Sequence, residues 1–218
     1  LRDIANELSA KRGQKFLLLG ETMFGDYNRW MSDDRCDTVT NYEVYKGLWS
    51  SMNAANMHEV AYALKRQSGP DPWDLYTGKH LVNFADNHDV ARLASQLKDA
   101  RHLPLVYALL YAMPGIPSVY YGSEFAITGE KQHGDQGLRP ALKWADMHPE
   151  NSPLCQFIYN LGAVYAAHET LHTGSFFTVE VRNQQLCFKR GEGDDAVYCL
   201  LNLAEGDSDL PLPVQGDG

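Results

Sequence analysis

The sequence has few cysteines and no paired cysteine motif. Its four cysteines are widely spaced and include no Cys-x-x-Cys, which is typical of free thiols in a reducing compartment rather than of a disulfide framework. One disulfide stays open as an alternative, because Cys187 and Cys199 could face each other on neighbouring strands. We therefore expect a cytoplasmic location.

Long apolar runs and basic excess are also missing. No stretch approaches the roughly 20 apolar residues of a membrane span, and no signal-peptide pattern opens the chain. The 28 acidic and 19 basic residues give a net charge of -9, which argues against nucleic acid or an anionic membrane as the main partner. A globular protein of 218 residues with a neutral substrate fits these numbers.

Residues 81–89, Leu-Val-Asn-Phe-Ala-Asp-Asn-His-Asp, are an apolar run that ends abruptly in polar side chains. This pattern predicts a buried strand whose carboxyl end carries groups that packing does not require. Helical segments are predicted at 90–97 and 103–113, and a second short strand at 116–124. Strand, helix and strand in this order predict a parallel crossover, and α/β barrels keep their chemistry at the carboxyl ends of such strands.

These motifs resemble the α-amylase family, glycoside hydrolase family 13. The family's seventh barrel strand ends in Asn-His-Asp, as residues 87–89 do here, and its eighth strand is similar to residues 115–124. Gly20-Glu21 resembles the end of the fifth strand, and residues 37–42 resemble the sixth strand of neopullulanase-like and cyclomaltodextrinase-like members. Two motifs correctly spaced around one helix are far more specific than a lone Asn-His-Asp.

The predicted fold class is α/β, with half of a TIM (β/α)8 barrel. Four strand–helix units fit in about 150 residues, whereas a complete barrel takes roughly 250. The resemblance makes them units five to eight, the C-terminal half, over residues 1–174, followed by part of a small antiparallel β-sandwich domain over residues 175–218. The predicted barrel strands are 16–19, 37–42, 81–84 and 116–124, the predicted β-domain strands are 176–181, 185–190 and 197–203, and further helices are predicted at 1–14, 53–67 and 154–172.

The resemblance assigns the chemistry to two carboxylates of an α-amylase family glycosidase. Glu21 matches the general acid and base, and Asp89 matches the residue that binds sugar hydroxyls and stabilises the transition state. Retaining hydrolysis also needs a nucleophilic carboxylate about 5–5.5 Å from the acid. The family's nucleophile follows the fourth strand, so we expect it upstream of Leu1 and expect the isolated chain to be inactive.

Four further residues are expected to bind an α-linked glucan oligosaccharide: His88, Asn87, Arg92 and Tyr42. An imidazole can donate to a sugar hydroxyl, a guanidinium can orient a carboxylate, and a tyrosine ring can pack on a sugar. The family usually has Trp two residues after the acid, where Met23 stands here, so the substrate preference is open. No cofactor and no metal ligand is assigned, calcium being a candidate only for the full-length protein.

Two alternatives and one consequence remain. Residues 168–172 read His-Glu-x-x-His, a zinc-protease motif if a third ligand came from Glu180 or Glu192. A carbohydrate-binding relative could also keep the barrel without its chemistry. An open half barrel, finally, exposes apolar side chains and strand edges, so we expect the fragment to self-associate.

Overall fold

Four short parallel strands form the inner layer of the chain. They are β1 (Leu19–Gly20), β2 (Thr38–Val39), β3 (Val82–Phe84) and β4 (Ile116–Ser118). β1 pairs with β2 and β3 pairs with β4, and a parallel bridge between Thr40 and Val82 joins the two pairs. This computed structural model, which describes residues 1–210, thus has four consecutive parallel strands in chain order, as half of a barrel requires.

Eight α-helices accompany these strands in the described part of the chain. They are α1 (Arg2–Arg12), α2 (Tyr42–Ala54), α3 (His58–Ser68), α4 (Leu93–Gln96), α5 (Leu103–Ala112), α6 (Gly134–Leu138), α7 (Pro153–Ala167) and α8 (Glu169–Thr173). The buried faces of α2, α3 and α5 form the centre of the hydrophobic core. Among the described helices, none has the length and apolar character needed to cross a membrane.

An antiparallel sheet follows the helices. Its strands β5 (Phe176–Val181), β6 (Gln185–Arg190) and β7 (Val197–Asn202) pair in the order β5-β6-β7. The predicted meander is confirmed to within one residue at each strand end. The predicted domain boundary falls between α8 and β5, and residues 211–218 of the predicted β-domain lie outside the described residues.

The sheet is packed firmly against the barrel helices. Phe176, Phe188 and Leu201 are buried in the same core as α3 and α5. Arg190 is 1% exposed and donates hydrogen bonds to the carbonyl oxygens of Ala112 and Gly174, both at 2.9 Å. Burial lowers the pKa of Arg190 to about 10. This guanidinium links the end of α5 to the sheet.

Several sequence predictions about elements are wrong in their bounds. The strand predicted at 116–124 ends at Ser118, and the helices predicted at 53–67 and 90–97 are found at His58–Ser68 and Leu93–Gln96. The strand predicted at 37–42 ends at Val39, because Asn41 accepts a hydrogen bond from the Val44 amide and caps α2. α2 itself starts eleven residues before the helix predicted at 53–67. The helix predicted at 154–172 is interrupted at His168, whose backbone is extended. The strand predicted as buried at 16–19 shrinks to Leu19–Gly20, and Leu19 is 54% exposed.

All four cysteines are free. Cys187 and Cys199 do lie on the neighbouring strands β6 and β7, as anticipated. Cys187 is in register with Leu200, however, and Cys199 with Phe188. The two thiols are therefore not directly opposite each other, and the disulfide alternative is not realised.

Three buried amides join the strands to the helices. Asn41 donates to Gln67 Oε1 and to Asn83 Oδ1, both at 2.8 Å, and accepts from Gln67 Nε2 at 3.0 Å. Asn83 in turn donates to the Pro114 carbonyl at 2.8 Å. Asn83 is fully buried, so each of these hydrogen bonds replaces one that water would otherwise supply.

We expect Asn83→Ala to destabilise the fold. The substitution leaves the Pro114 carbonyl without its partner and removes one acceptor of Asn41, and a buried group without a partner costs about 1–3 kcal/mol. Urea unfolding should therefore show a lower midpoint with an unchanged slope. The control is Asn160→Ala on the exposed side of α7. Equal midpoints for the two variants would contradict the importance of the amide network.

Candidate active site

Three strand ends bring five of the six predicted site residues together. Glu21 follows β1, Tyr42 opens the helix after β2, and residues 87–89 follow β3. Carboxyl ends of neighbouring parallel strands share one edge of the sheet. The side chains of Glu21, Tyr42, Asn87, His88 and Asp89 accordingly form one connected group.

A chain of hydrogen bonds runs from Asn87 to Glu21. Asn87 Nδ2 donates to the Tyr42 hydroxyl at 3.1 Å, and the hydroxyl donates to Glu21 Oε1 at 2.9 Å. Burial, opposed by the Asn87 hydrogen bond and reinforced by the Glu21 charge, raises the pKa of Tyr42 to about 12. Tyr42 thus stays protonated near neutral pH and can act as a fixed donor to one carboxylate oxygen.

Asp89 is held from three sides. Its backbone amide donates to Asn87 Oδ1 at 2.8 Å, which closes a tight turn after the strand. Its Oδ1 accepts from Arg139 Nη2 at 2.8 Å, and its Oδ2 lies 3.4 Å from His88 Nε2. The Asp89 side chain is still 46% exposed, so a ligand can reach it.

Sequence reasoning missed Arg139 as a site residue. It lies on the loop beyond β4, fifty residues from Asp89, and also donates from Nε to the His88 carbonyl at 3.2 Å. The only signal available was that residues 139–144 resemble the segment after the eighth strand of the family. Nothing in the local spacing pairs this arginine with Asp89.

Arg92 does not take the predicted place beside the substrate. Its side chain is fully buried, and its guanidinium donates to the Tyr121 carbonyl at 2.7 Å, to Ser123 Oγ at 3.0 Å and to the Leu138 carbonyl at 2.8 Å. The Tyr120 ring centroid lies 4.0 Å from the guanidinium carbon. The Arg92 guanidinium therefore binds the chain segment after β4 and is not available to a substrate. The prediction that Arg92 binds the substrate is wrong.

Asp86 lies in the same buried layer. Its Oδ2 accepts hydrogen bonds from the Leu93 amide at 2.8 Å and from Ser123 Oγ at 2.7 Å, and the residue is only 3% exposed. Burial raises the pKa of Asp86 from its ordinary value, and the nearby Arg92 charge opposes this shift. Asp86 thus joins β3 to the turn after β4.

Aromatic rings fill the space beneath the polar groups. The Tyr42 ring meets Phe84 edge-on with centroids 4.8 Å apart, Tyr45 stacks on Phe84 at 5.3 Å, and the two tyrosine rings lie 6.3 Å from each other. His88 lies 6.4 Å from Tyr120 by ring centroids. These contacts restrict the Tyr42 and His88 rings to the strand-end edge.

The zinc alternative lacks its geometry. His168 stands in extended backbone between α7 and α8, while His172 Nε2 lies 2.7 Å from the Tyr165 carbonyl oxygen, so the two imidazoles do not share one helix face. Within residues 1–210 no three His, Cys, Asp or Glu side chains are grouped to hold a metal ion. The described residues therefore fit neither a zinc centre nor an acidic calcium site.

Two sequence relatives match this chain over part of their own length. A cyclomaltodextrinase from Geobacillus thermopakistaniensis is 22% identical over 99% of this chain and 38% of its own length. The alpha-amylase SusG from Bacteroides thetaiotaomicron is 38% identical over 53% of this chain and 18% of its own length. The chain thus spans well under half the length of these relatives.

Solved structures show the same fold. A cyclic alpha-maltosyl-(1→6)-maltose hydrolase from Arthrobacter globiformis superposes with a TM-score of 0.71 and 22% identity, covering 92% of this chain and 44% of that chain. A structure titled cyclomaltodextrinase gives a TM-score of 0.76 with 23% identity, over 92% of this chain and 34% of that one. The half-barrel prediction is confirmed by these likenesses.

The match to a family model covers most of the chain. The model described as alpha amylase, catalytic domain, matches residues 1–160, which include all four parallel strands and every residue of the connected group at their ends. The family predicted from the strand-end motifs is therefore confirmed, and the chain belongs to the alpha-amylase family.

Proposed function

We propose that this chain supplies the C-terminal half of the catalytic barrel of a retaining glycosidase acting on α-linked glucans. The observation that carries the proposal is the hydrogen-bonded group at the strand ends, in which Glu21 and Asp89 share one edge with Tyr42 between them. Glu21 and Asp89 at one edge suit glycosidic cleavage, since a retaining glycosidase needs, besides its nucleophile, an acid carboxyl and groups that stabilise the charge of an oxocarbenium-like transition state.

Glu21 acts as general acid and then as general base. The Tyr42 hydroxyl occupies one of its carboxyl oxygens at 2.9 Å, which leaves the other to protonate the glycosidic oxygen. The same oxygen later removes a proton from the attacking water. A fixed donor on one oxygen therefore keeps the reactive oxygen in a constant orientation through both steps.

Asp89 stabilises the positive charge that develops on the sugar in an oxocarbenium-like transition state. His88 and Asn87 lie beside it and donate to sugar hydroxyls. Their positions come from the tight turn after β3, in which Asn87 Oδ1 accepts from the Asp89 amide. Binding groups placed in advance lower the entropic cost of orienting the sugar.

The nucleophile comes from a segment that precedes Leu1 in the complete enzyme. No acidic residue of this chain matches the family's nucleophile motif, and the relatives are more than twice as long as the matched region. The substrates we propose are short maltodextrins or cyclic dextrins. Transfer to another sugar uses the same carboxylates as hydrolysis, so the acceptor decides between the two outcomes.

We expect Glu21→Gln to lower turnover by about 10²–10⁴, the usual contribution of general acid catalysis. The measurement is kcat for maltotriose hydrolysis by a protein that carries both barrel halves, because the poor leaving group makes protonation essential. Glu192→Gln, an exposed glutamate before β7, is the matched control. Near-normal turnover in Glu21→Gln would exclude Glu21 as the acid. A parent protein that releases neither glucose nor maltose would instead favour the carbohydrate-binding alternative.

We also propose that the isolated chain self-associates through its open barrel side. Leu17 and Leu19 of the β1 segment are 58% and 54% exposed, Ile4 of α1 is 57% exposed, and Ile116 of the other edge strand is 39% exposed. Apolar surface of this kind contributes about 25 cal/mol per Å² when it is covered. An unpaired parallel edge adds free backbone donors and acceptors.

Sedimentation velocity on the 218-residue chain should accordingly show dimers or larger species at micromolar concentration. Leu19→Lys should shift the distribution towards monomer, because a charge on the open edge opposes strand pairing. Leu200→Lys changes a leucine of similar exposure, 46%, on β7 and should leave the distribution unchanged. A parent chain that sediments only as monomer would contradict the proposal.

A further inference from the structure

Arg139 contacts two consecutive residues of the β3 strand end. Its Nη2 donates to Asp89 Oδ1 at 2.8 Å, and its Nε donates to the His88 carbonyl at 3.2 Å. A guanidinium fixed at two points has one orientation relative to its carboxylate. His88 Nε2 lies 3.4 Å from Asp89 Oδ2, so each carboxylate oxygen of Asp89 has a side-chain nitrogen beside it.

The ion pair between Arg139 and Asp89 contributes little to the free energy of folding. The two side chains are 41% and 46% exposed, and ion pairs with this exposure contribute about 0–1 kcal/mol. Arg139 also lies 3.8 Å from Asp135, which is 79% exposed. The contact to Asp89 therefore matters for where the carboxylate points rather than for whether the chain folds.

A buried arginine holds the loop that carries Arg139. Arg92 Nη2 donates to the carbonyl of Leu138, the residue before Arg139, at 2.8 Å. The Arg92 amide donates to the Gly129 carbonyl at 2.9 Å, so the same residue holds the loop near its beginning as well as near its end. Arg92 is fully buried, which leaves its guanidinium little freedom to exchange partners with water.

The loop closes tightly between those two points. A Cβ atom placed on Gly129 would lie 2.1 Å from the Gly137 carbonyl oxygen and would clash with it, so only glycine fits at this position without a shift of the backbone. Gly129 also donates its amide to Ser95 Oγ at 2.8 Å. The segment from Gly129 to Arg139, which includes α6, is therefore held by hydrogen bonds near both ends and closely packed between them.

We propose that Arg139 is a positioning residue for Asp89, and that Arg92 acts through the loop by positioning Arg139. This inference rests on the proposed function. Arg139 holds Asp89 in the rotamer that meets the sugar hydroxyls, so the carboxylate needs no reorganisation as charge develops in the transition state. The sugar meets Asp89, and Arg139 contributes through that carboxylate.

The first test uses the 218-residue chain and needs no activity. Three-bond couplings to the Asp89 β-protons, measured by NMR, should show one dominant side-chain rotamer in the parent and averaging among rotamers in Arg139→Gln. Arg182→Gln is the matched control, since Arg182 is 43% exposed and lies 3.0 Å from Glu180 in the β-domain. An Asp89 rotamer that is unchanged by Arg139→Gln would overturn the proposal.

The second test uses kinetics in the protein with both barrel halves. Arg139→Gln should lower kcat for maltotriose by about 10–100-fold with little change in KM, as expected for loss of a charge-assisted hydrogen bond that acts in the transition state. Arg139→Lys should recover part of the loss, because an ammonium can reach Asp89 but cannot also hold the His88 carbonyl in the fork geometry. An unchanged kcat in Arg139→Gln would contradict the proposal.

An Asp89→Asn background separates positioning from direct substrate contact. If Arg139 acts through Asp89, Arg139→Gln should have less than about a threefold effect in that background. A full loss there would show that Arg139 acts elsewhere and would overturn the proposal.

Arg92→Lys should lower kcat and be non-additive with Arg139→Gln, whereas simple additivity would remove Arg92 from the proposal. Retained turnover in Glu21→Gln would instead contradict the proposed function, so the two failures are distinguishable.

Discussion

The hydrogen bond between Asn41 and Asn83 sets the register on which the site depends. Asn41 immediately precedes Tyr42, and Asn83 lies four residues before Asn87, so the amide pair fixes both strand ends relative to each other. A slip of one residue in parallel pairing moves a strand by about 3.3 Å. The 3.1 Å hydrogen bond between Asn87 and Tyr42 would not survive that displacement.

Arg92 and Arg190 differ from Arg139 in burial and in the groups that they contact. Arg92 and Arg190 are buried and donate mainly to backbone carbonyls, so each joins chain segments that are far apart in sequence. Arg139 is partly exposed and contacts a carboxylate. A buried arginine satisfied by carbonyls stabilises an arrangement of backbone, whereas an exposed one leaves its carboxylate accessible to a ligand. In the proposed arrangement, the position of Asp89 depends on Arg139 and, through the Leu138 carbonyl, on Arg92.

Much of the site follows from residues next to strand ends. Glu21, Tyr42 and residues 87–89 come together because parallel strands deliver their carboxyl ends to one edge, a consequence that short-range patterns can express. The place of Arg92 does not follow in this way. Arg92 lies only three residues after Asp89 in sequence, but its guanidinium donates to the Tyr121 and Leu138 carbonyls, which are 29 and 46 residues away. Arg139 was missed for the same reason.

The fold shows a similar division. The β-domain strands follow an alternating pattern and were predicted closely, since each pairs with its neighbour in sequence. The start of α2 was missed because Asn41 serves as helix cap and interstrand amide at once. The exposure of Leu19 was missed because an apolar run indicates only that a strand favours burial, whereas Leu19 is 54% exposed in the described chain.

Assembly and catalysis meet at this open edge. Glu21 follows β1, which pairs with β2 on one side, and Leu19 leaves its other side exposed. Neighbouring strands lie about 4.8 Å apart, and a retaining glycosidase holds its acid and nucleophile about 5–5.5 Å apart. A nucleophile at the end of a strand paired directly with β1 would therefore stand at the required separation from Glu21, whereas one strand farther would double it. On the proposed function, the exposed side of β1 through which we propose that the isolated chain self-associates is also the side on which Glu21 would meet its nucleophile.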